Sequence, residues 1–466
     1  MSKFSSEVDP VLARRRFLKA STGLAVAAAL PGQALAFDGA YRSQPLGQGN
    51  DRNFWKQIKK EFVLNKRSTY MNIGTTGSMP ERVLQQFEEN NAIVARDPWA
   101  HEGRFGGWSK IGDMIEAVAP GFGADPHEIV LSRNTTDGLC SILGGMQFEP
   151  GDVVLTTHHE HMGMLSPLDV VRQRYDVEIV QVEIPVDTGD NSVTEADFVR
   201  VFEQAVAEYG SRVRLIIFSH ITYLTGTMLP AKRICQEVAI PNRIPTFVDG
   251  AHTIGMLDLD FHDMDCDFYA GSGHKWQCGP GATGILYVRD EAKRFKEFWS
   301  DRHEPLLMVN SSRSESPTLP LNQRLQYIGN DHFPLKQALT DACLMWDEIG
   351  RDKIEARCCE LGARCKDGLA ATFSGAKIYS PNVEGLNNGL TTVNPFFDQT
   401  DLALLTEFRD RLREEYGYTI RTTSFRIRKD DPIQVHALRI STHLFHDEQD
   451  VDGLIAAMYA LYLQMA

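Results

Sequence analysis

Between residues 128 and 288, short unbroken runs of apolar, largely β-branched residues recur, separated by loops or by segments of different texture. The clearest are "EIVLS" (128–132), "DVVLTT" (152–157), "RLIIFSH" (214–220), "TFVDGA" (246–251) and "TGILYV" (283–288), with "DCDFYA" (265–270) beside the last. A strand with one wet face alternates polar and apolar residues; runs that do not alternate need cover on both faces. Between them, "TEADFVRVFEQAVAEYG" (194–210) and "AKRICQEVAI" (231–240) carry apolar residues at helical spacing. The expectation is an α/β layered domain with a mostly parallel sheet between helices. After about residue 320 the texture changes. A long helical stretch (334–373) leads into "GLTTVNP", "LLTEFRDRLREEYG", "HALRIST" and "DVDGLIAAMYALYLQ", which read as a smaller C-terminal α+β domain. The polar run "NSSRSESPTLPLNQ" (310–323) suits a connecting segment.

The first residues belong to neither domain. "RRRFLK" (14–19), the small-residue run "ASTGLAVAAAL" and "PGQALA" form a basic region, a short apolar region and an Ala34-Leu35-Ala36 cleavage site. Arg14 to Lys19 match the twin-arginine export pattern. The apolar run is too short to span a bilayer. We therefore expect a signal peptide over 1–36, an N-terminal segment over 37–75, a large domain over 76–320 and a small one over 321–466, in a periplasmic protein. The formal net charge of −14 disfavours nucleic acid or anionic lipid as a partner. Eight cysteines are too few for a disulfide scaffold in 466 residues, and no C-x-x-C pair occurs. "HHEH" (158–161) lacks the H-E-x-x-H spacing of a helical zinc site, so no metal is expected.

Chemistry-bearing residues gather where these strands end. "LSRNTTDGL" (131–139) places Asn134, Thr135 and Thr136 at a strand-to-helix junction, a natural anion site. "HHEHMG" ends the next strand with His161, and "FVDGAH" ends another with Asp249 and His252. "GSGHKWQCGP" (271–280) sets Ser272, His274 and Lys275 in a glycine-bracketed turn. In open parallel sheets ligands collect at the carboxyl ends of strands, so these groups should converge. A phosphate cradle, an imidazole, an acid and a lysine together suit pyridoxal 5′-phosphate: the lysine for its aldehyde, the carboxylate for its ring nitrogen.

With these residues in place, the chain resembles a class V aminotransferase-fold enzyme of pyridoxal-phosphate fold type I, most similar to the isopenicillin N epimerase-like branch. The match runs from "YMNIGTTGSMPERV" (70–83) to "RISTHLFHDEQDVDGL" (439–454) and is densest in "VDGAHTIGMLDLDFHDMDCDFYAGSGHKWQCGPGATGILYVR". The resemblance implies a seven-stranded type of sheet and a homodimer. Residue by residue, it implies that Lys275 is the Schiff-base lysine and Asp249 the partner of the ring nitrogen. His252 lies near the phenolic oxygen and His161 stacks on the ring. Thr135, Thr136, Ser272 and His274 hold the phosphate, while Arg439 in "LRIS" holds the substrate carboxylate, with Asn72 in "MNIG" beside it.

Three positions depart from the family pattern. Tyr223 stands where desulfurases have an asparagine. Asn330 in "YIGND" replaces a threonine that reaches the partner subunit's phosphate. "RTTSFRIRKDDP" (421–432) has no cysteine where persulfide-forming desulfurases need their nucleophile. The expected function is chemistry at the amino-bearing carbon of an amino acid, or of such a residue in a peptide or siderophore-like metabolite. Transamination comes first, with epimerisation or carbon–sulfur cleavage as the alternative. A catalytically inactive binding protein is the reading from another class.

Overall fold

A computed structural model of the chain describes Leu46, residues 49–316 and residues 318–465. The signal peptide expected over 1–36 lies outside the described residues, which fall within a compact unit spanning Gln44–Ala466. No helix among the described residues is long and apolar enough to cross a membrane.

The two-residue strand β1 (Thr69–Tyr70) precedes a seven-stranded sheet. That sheet comprises β2 (Ile129–Ser132), β3 (Val153–Thr157), β4 (Glu178–Val182), β5 (Val213–Ser219), β6 (Thr246–Gly250), β7 (Phe268–Ser272) and β8 (Gly284–Val288). The strand order is β2-β8-β7-β6-β5-β3-β4. Only β8 runs against the rest, pairing antiparallel with both β7 and β2. The unbroken apolar runs are explained by two cores, one on each face. Leu131, Leu155, Ile216, Val248 and Tyr269 pack into one core, while Val130, Val154, Leu215, Phe247 and Phe268 pack into the other. β4 was not expected: as an edge strand it is only partly buried, so "EIVQV" carries no continuous apolar run. The opposite edge, β2, is capped by Gln326, whose amide donates to the Leu131 carbonyl at 3.1 Å and accepts from its N–H at 2.8 Å.

A second sheet holds β9 (Lys377–Ile378), β10 (Leu390–Asn394), β12 (Arg421–Phe425) and β13 (Val435–Ser441), all antiparallel, in the order β12-β13-β10-β9. Leu438 and Ile440 from β13 join Leu361, Phe408, Leu454 and Met458 from three helices in its core. The remaining strand, β11 (Tyr418–Thr419), pairs in parallel with β1.

Buried imidazoles join these layers. His443 Nε2 lies 2.7 Å from the Trp276 carbonyl, next to the lysine turn, and its Nδ1 lies 3.4 Å from Cys358 Sγ. Burial pushes His443 down to about 3, His159 to about 3 and His220 to about 4. A histidine with a lowered native pKa stabilises the fold fully above its unfolded value, and this stabilisation is lost as pH falls towards the native value. Unfolding free energy should therefore drop between pH 6.5 and 4, with each such group contributing about 1.4 kcal/mol per pH unit. His443→Gln should make that slope shallower in urea titrations; an unchanged slope would show that His443 is not held neutral.

Candidate active site

The carboxyl ends of β2, β3, β5, β6 and β7 meet on one edge of the large sheet. Ser219 on β5 is in register with Asp249 on β6, and Asp249 with Ala270 on β7, so the acid lies centrally between the strand ends.

The lysine turn is held from several sides. The Gly273 N–H donates to the Thr283 carbonyl and the Gly279 N–H to the Gly273 carbonyl, each at 2.8 Å. Trp276 is fully buried. The loop that follows β1 presses on the turn through Gly77, whose N–H donates to the His274 carbonyl at 2.8 Å. A Cβ at position 77 would lie 2.0 Å from the Lys275 carbonyl oxygen, a contact that real Cβ atoms do not make. Glycine is thus required by close approach rather than by its φ.

At the β2–helix junction, Asn134 caps the helix Thr135–Leu143 by accepting from the Asp137 N–H at 2.9 Å. Thr135 is buried with its Oγ1 2.7 Å from Ser272 Oγ, so two strand ends share one hydroxyl pair. Thr136 is exposed beside Gly163, where a Cβ would lie 2.6 Å from its hydroxyl. His274 Nδ1 is buried with no hydrogen-bond partner among the described residues. These four expected phosphate contacts are therefore grouped at the ends of β2 and β7. Asn330 is exposed on a bend.

His161 caps its own helix, accepting from the Gly163 N–H at Nδ1 over 3.0 Å, and its ring stands edge-on to Tyr223 at 4.8 Å. His252 accepts the Trp276 indole N–H at Nδ1 over 3.3 Å, which leaves its own proton on Nε2. Burial, and then the Lys275 charge, hold both imidazoles neutral. The His158 and His159 rings of "HHEH" instead lie within 3.3 Å and 2.8 Å of the Ile427 and Arg426 carbonyls.

Asp249 accepts the Ala251 N–H at 2.8 Å, and burial pushes its carboxyl up to about 6 against the opposing pull of Lys275. Burial brings Lys275 down to about 8; Asp249 opposes the fall, while Arg439 and Arg421 add to it. Below Asp249 lies an acid not singled out from the sequence. Glu160 is buried, accepting Thr157 Oγ1 at 2.6 Å and the Ser219 hydroxyl and N–H, and burial pushes it up to about 7. Its neighbour His161 drew attention by residue type, but nothing in "HHEH" shows which acid turns inward.

On the small-sheet side, Arg439 is only 2% exposed. It donates to the Tyr223 carbonyl at 3.1 Å, Thr75 Oγ1 at 3.2 Å and Asn72 Oδ1 at 3.4 Å. Asn72 and Arg439 are thus brought together as expected. Arg421 and Thr75 were not anticipated. "RTTSF" forms strand β12 instead of the start of a loop, which sets Arg421 directly opposite Arg439. Recognising it requires the register of β12 on β13, a long-range fact that local spacing does not carry.

This fold and pocket define a pyridoxal-phosphate enzyme of fold type I. The sequence profile described as aminotransferase class-V matches residues 69–454, and the chain belongs to that family. Isopenicillin N epimerase from Streptomyces clavuligerus is 27% identical over 415 residues, covering 87% of this chain and 98% of that protein. A probable cysteine desulfurase from Mycobacterium leprae is 26% identical over 348 residues, covering 70% of this chain and 77% of that one. Among solved structures, a cysteine desulfurase from Escherichia coli superposes with a TM-score of 0.71 at 20% identity, over 88% of this chain and 99% of that one, a likeness of fold alone.

Gly77→Ala should lower unfolding free energy by about 1–3 kcal/mol through overpacking against the lysine turn, measured by urea titration. A variant as stable as the wild type would show that the loop after β1 does not press on Lys275.

Proposed function

We propose that the pocket binds pyridoxal 5′-phosphate through the groups just described and acts at the amino-bearing carbon of an amino acid. The observation that carries this reading is the convergence of the Lys275 turn after β7 with Asp249 near the end of the neighbouring β6, where burial lowers the amine and raises the carboxyl. The donor set fits the cofactor: the Thr135–Ser272 hydroxyl pair and the unpartnered His274 Nδ1 for the phosphate, and a carboxylate and an amine for the ring and its aldehyde. When bound, the cofactor supplies an electron sink that weakens the bonds at the substrate's amino-bearing carbon.

The chain's own residues do the rest. An amine titrating near 8 is unprotonated in about a tenth of molecules at pH 7, far more than an ordinary lysine, so Lys275 can act as nucleophile and then carry the α-proton. Asp249 supplies the negative charge that holds a proton on the ring nitrogen. The proton on His252 Nε2 is free to be donated to the phenolic oxygen, because Trp276 engages Nδ1. His161 offers a neutral ring for stacking. Arg439 orients the substrate carboxylate as a bidentate donor, supported by Asn72.

Transamination or related chemistry at that carbon is our first reading. Likeness to isopenicillin N epimerase over nearly its whole length supports epimerisation as the second. The absence of cysteine from 421–432 weighs against a persulfide-forming desulfurase. We also propose export by the twin-arginine route to the periplasm and a homodimer, in which the exposed Asn330 faces the partner subunit; the leader sequence and the family resemblance support these.

Purified protein should show the visible absorption of the bound cofactor, and Lys275→Ala should abolish it. Asp249→Ala should lower turnover by at least about a hundredfold. Mass spectrometry of an amino-acid panel separates the reactions: a keto acid means transamination, an inverted centre epimerisation, and loss of a side-chain group elimination. A colourless protein that takes up no added cofactor would overturn the enzyme reading.

A further inference from the structure

Arg421 and Arg439 are directly paired across β12 and β13, so their side chains leave the sheet on the same face. Like charges set opposite each other cost stability unless something compensates them. Elsewhere this acidic chain supplies that compensation. Arg302 reaches Asp152 and Glu149, Arg294 reaches Asp265 and Asp267, and Arg357 reaches Glu360 and Glu448. Neither Arg421 nor Arg439 meets a carboxylate among the described residues; their contacts are neutral. Thr75 Oγ1 accepts from both, at 3.3 Å and 3.2 Å, and so ties the two guanidiniums together. Arg439 Nε, buried, has no hydrogen-bond partner among the described residues.

A buried guanidinium without a counter-ion is costly, and a ligand anion removes the cost. The hydroxyl pair expected to hold the cofactor phosphate, at the ends of β2 and β7, shares no hydrogen-bond partner with either arginine among the described residues, so the arginines call for a different anion. One carboxylate satisfies one guanidinium fork. The second arginine differs from the first in being exposed, so it stands nearer solvent.

We propose that the substrate is an amino acid carrying two carboxylates: the α-carboxylate on the buried Arg439 and the distal one on the exposed Arg421. This rests on the pyridoxal-phosphate reading of the same pocket. Tyr223 stands edge-on to His161, and its carbonyl accepts from Arg439. An acidic side chain then gains a charge-assisted pair that its neutral isostere lacks.

The test is to titrate the holoenzyme with L-glutamate and L-glutamine, and with L-aspartate and L-asparagine, following the cofactor absorption to obtain dissociation constants. The acidic member of at least one pair should bind about tenfold or more tightly. Arg421→Gln should bring that ratio to about one, and Arg421→Lys should keep part of it, which separates lost charge from misfolding. Arg439→Gln should weaken both members of each pair while leaving the ratio largely in place. A wild-type ratio near one, or an Arg421→Gln variant that weakens both members equally, would overturn the proposal and assign both arginines to a single carboxylate. In that case the cofactor absorption is intact and only the substrate class falls; if the absorption itself is missing, the catalytic reading falls and takes this one with it.

Discussion

Lys275 and Asp249 lie together where burial penalises each charge; Asp249 is the main compensation for the amine, while the Ala251 N–H and then Lys275 compensate the carboxylate. An amine brought down to about 8 and a carboxyl brought up to about 6 have been moved towards each other from ordinary values on either side of neutrality. Much of the structure around them can be understood as what holds that arrangement. β6 and β7 set the two groups on adjacent strand ends, the buried Trp276 anchors the turn, and Gly77 lets the loop after β1 close over it.

The sheet makes this placement possible. A parallel sheet buried on both faces collects its strand ends at a single edge, so groups scattered from Thr135 to Lys275 along the chain meet without long loops. β8 returns antiparallel between β7 and β2, and the hydroxyls of Ser272 and Thr135 meet across the strand it inserts. The small sheet contributes the arginines, and the buried His443 links its last strand to the carbonyl of Trp276. The arginine side and the lysine side are therefore joined by hydrogen bonds, from Arg439 to the Tyr223 carbonyl and from His443 to that of Trp276.

Much of this was legible in the sequence. Non-alternating runs announced a sheet covered on both sides, and strand-end residues announced the pocket, because both depend on local order along the chain. The cluster of Lys275, Asp249, His161 and His252 follows from that logic. What was not legible depends on register and on half-exposed positions. β4 escaped notice because an edge strand needs no apolar run. Arg421 was hidden because its importance comes from facing Arg439 across two strands, and Glu160 because the pattern "HHEH" does not reveal which side chains turn inward. The tautomer of His252 likewise depends on Trp276, 24 residues away and placed by the fold.

The account stands most directly on the coupling between Lys275 and Asp249, which can be measured in cofactor-free protein. The rate at which Lys275 is acylated by an amine-reactive reagent, followed by peptide mass spectrometry across pH, gives its titration midpoint. The account predicts a midpoint near 8, moving lower in Asp249→Asn because the favourable charge is gone. A midpoint near the ordinary lysine value, unmoved by Asp249→Asn, would contradict it.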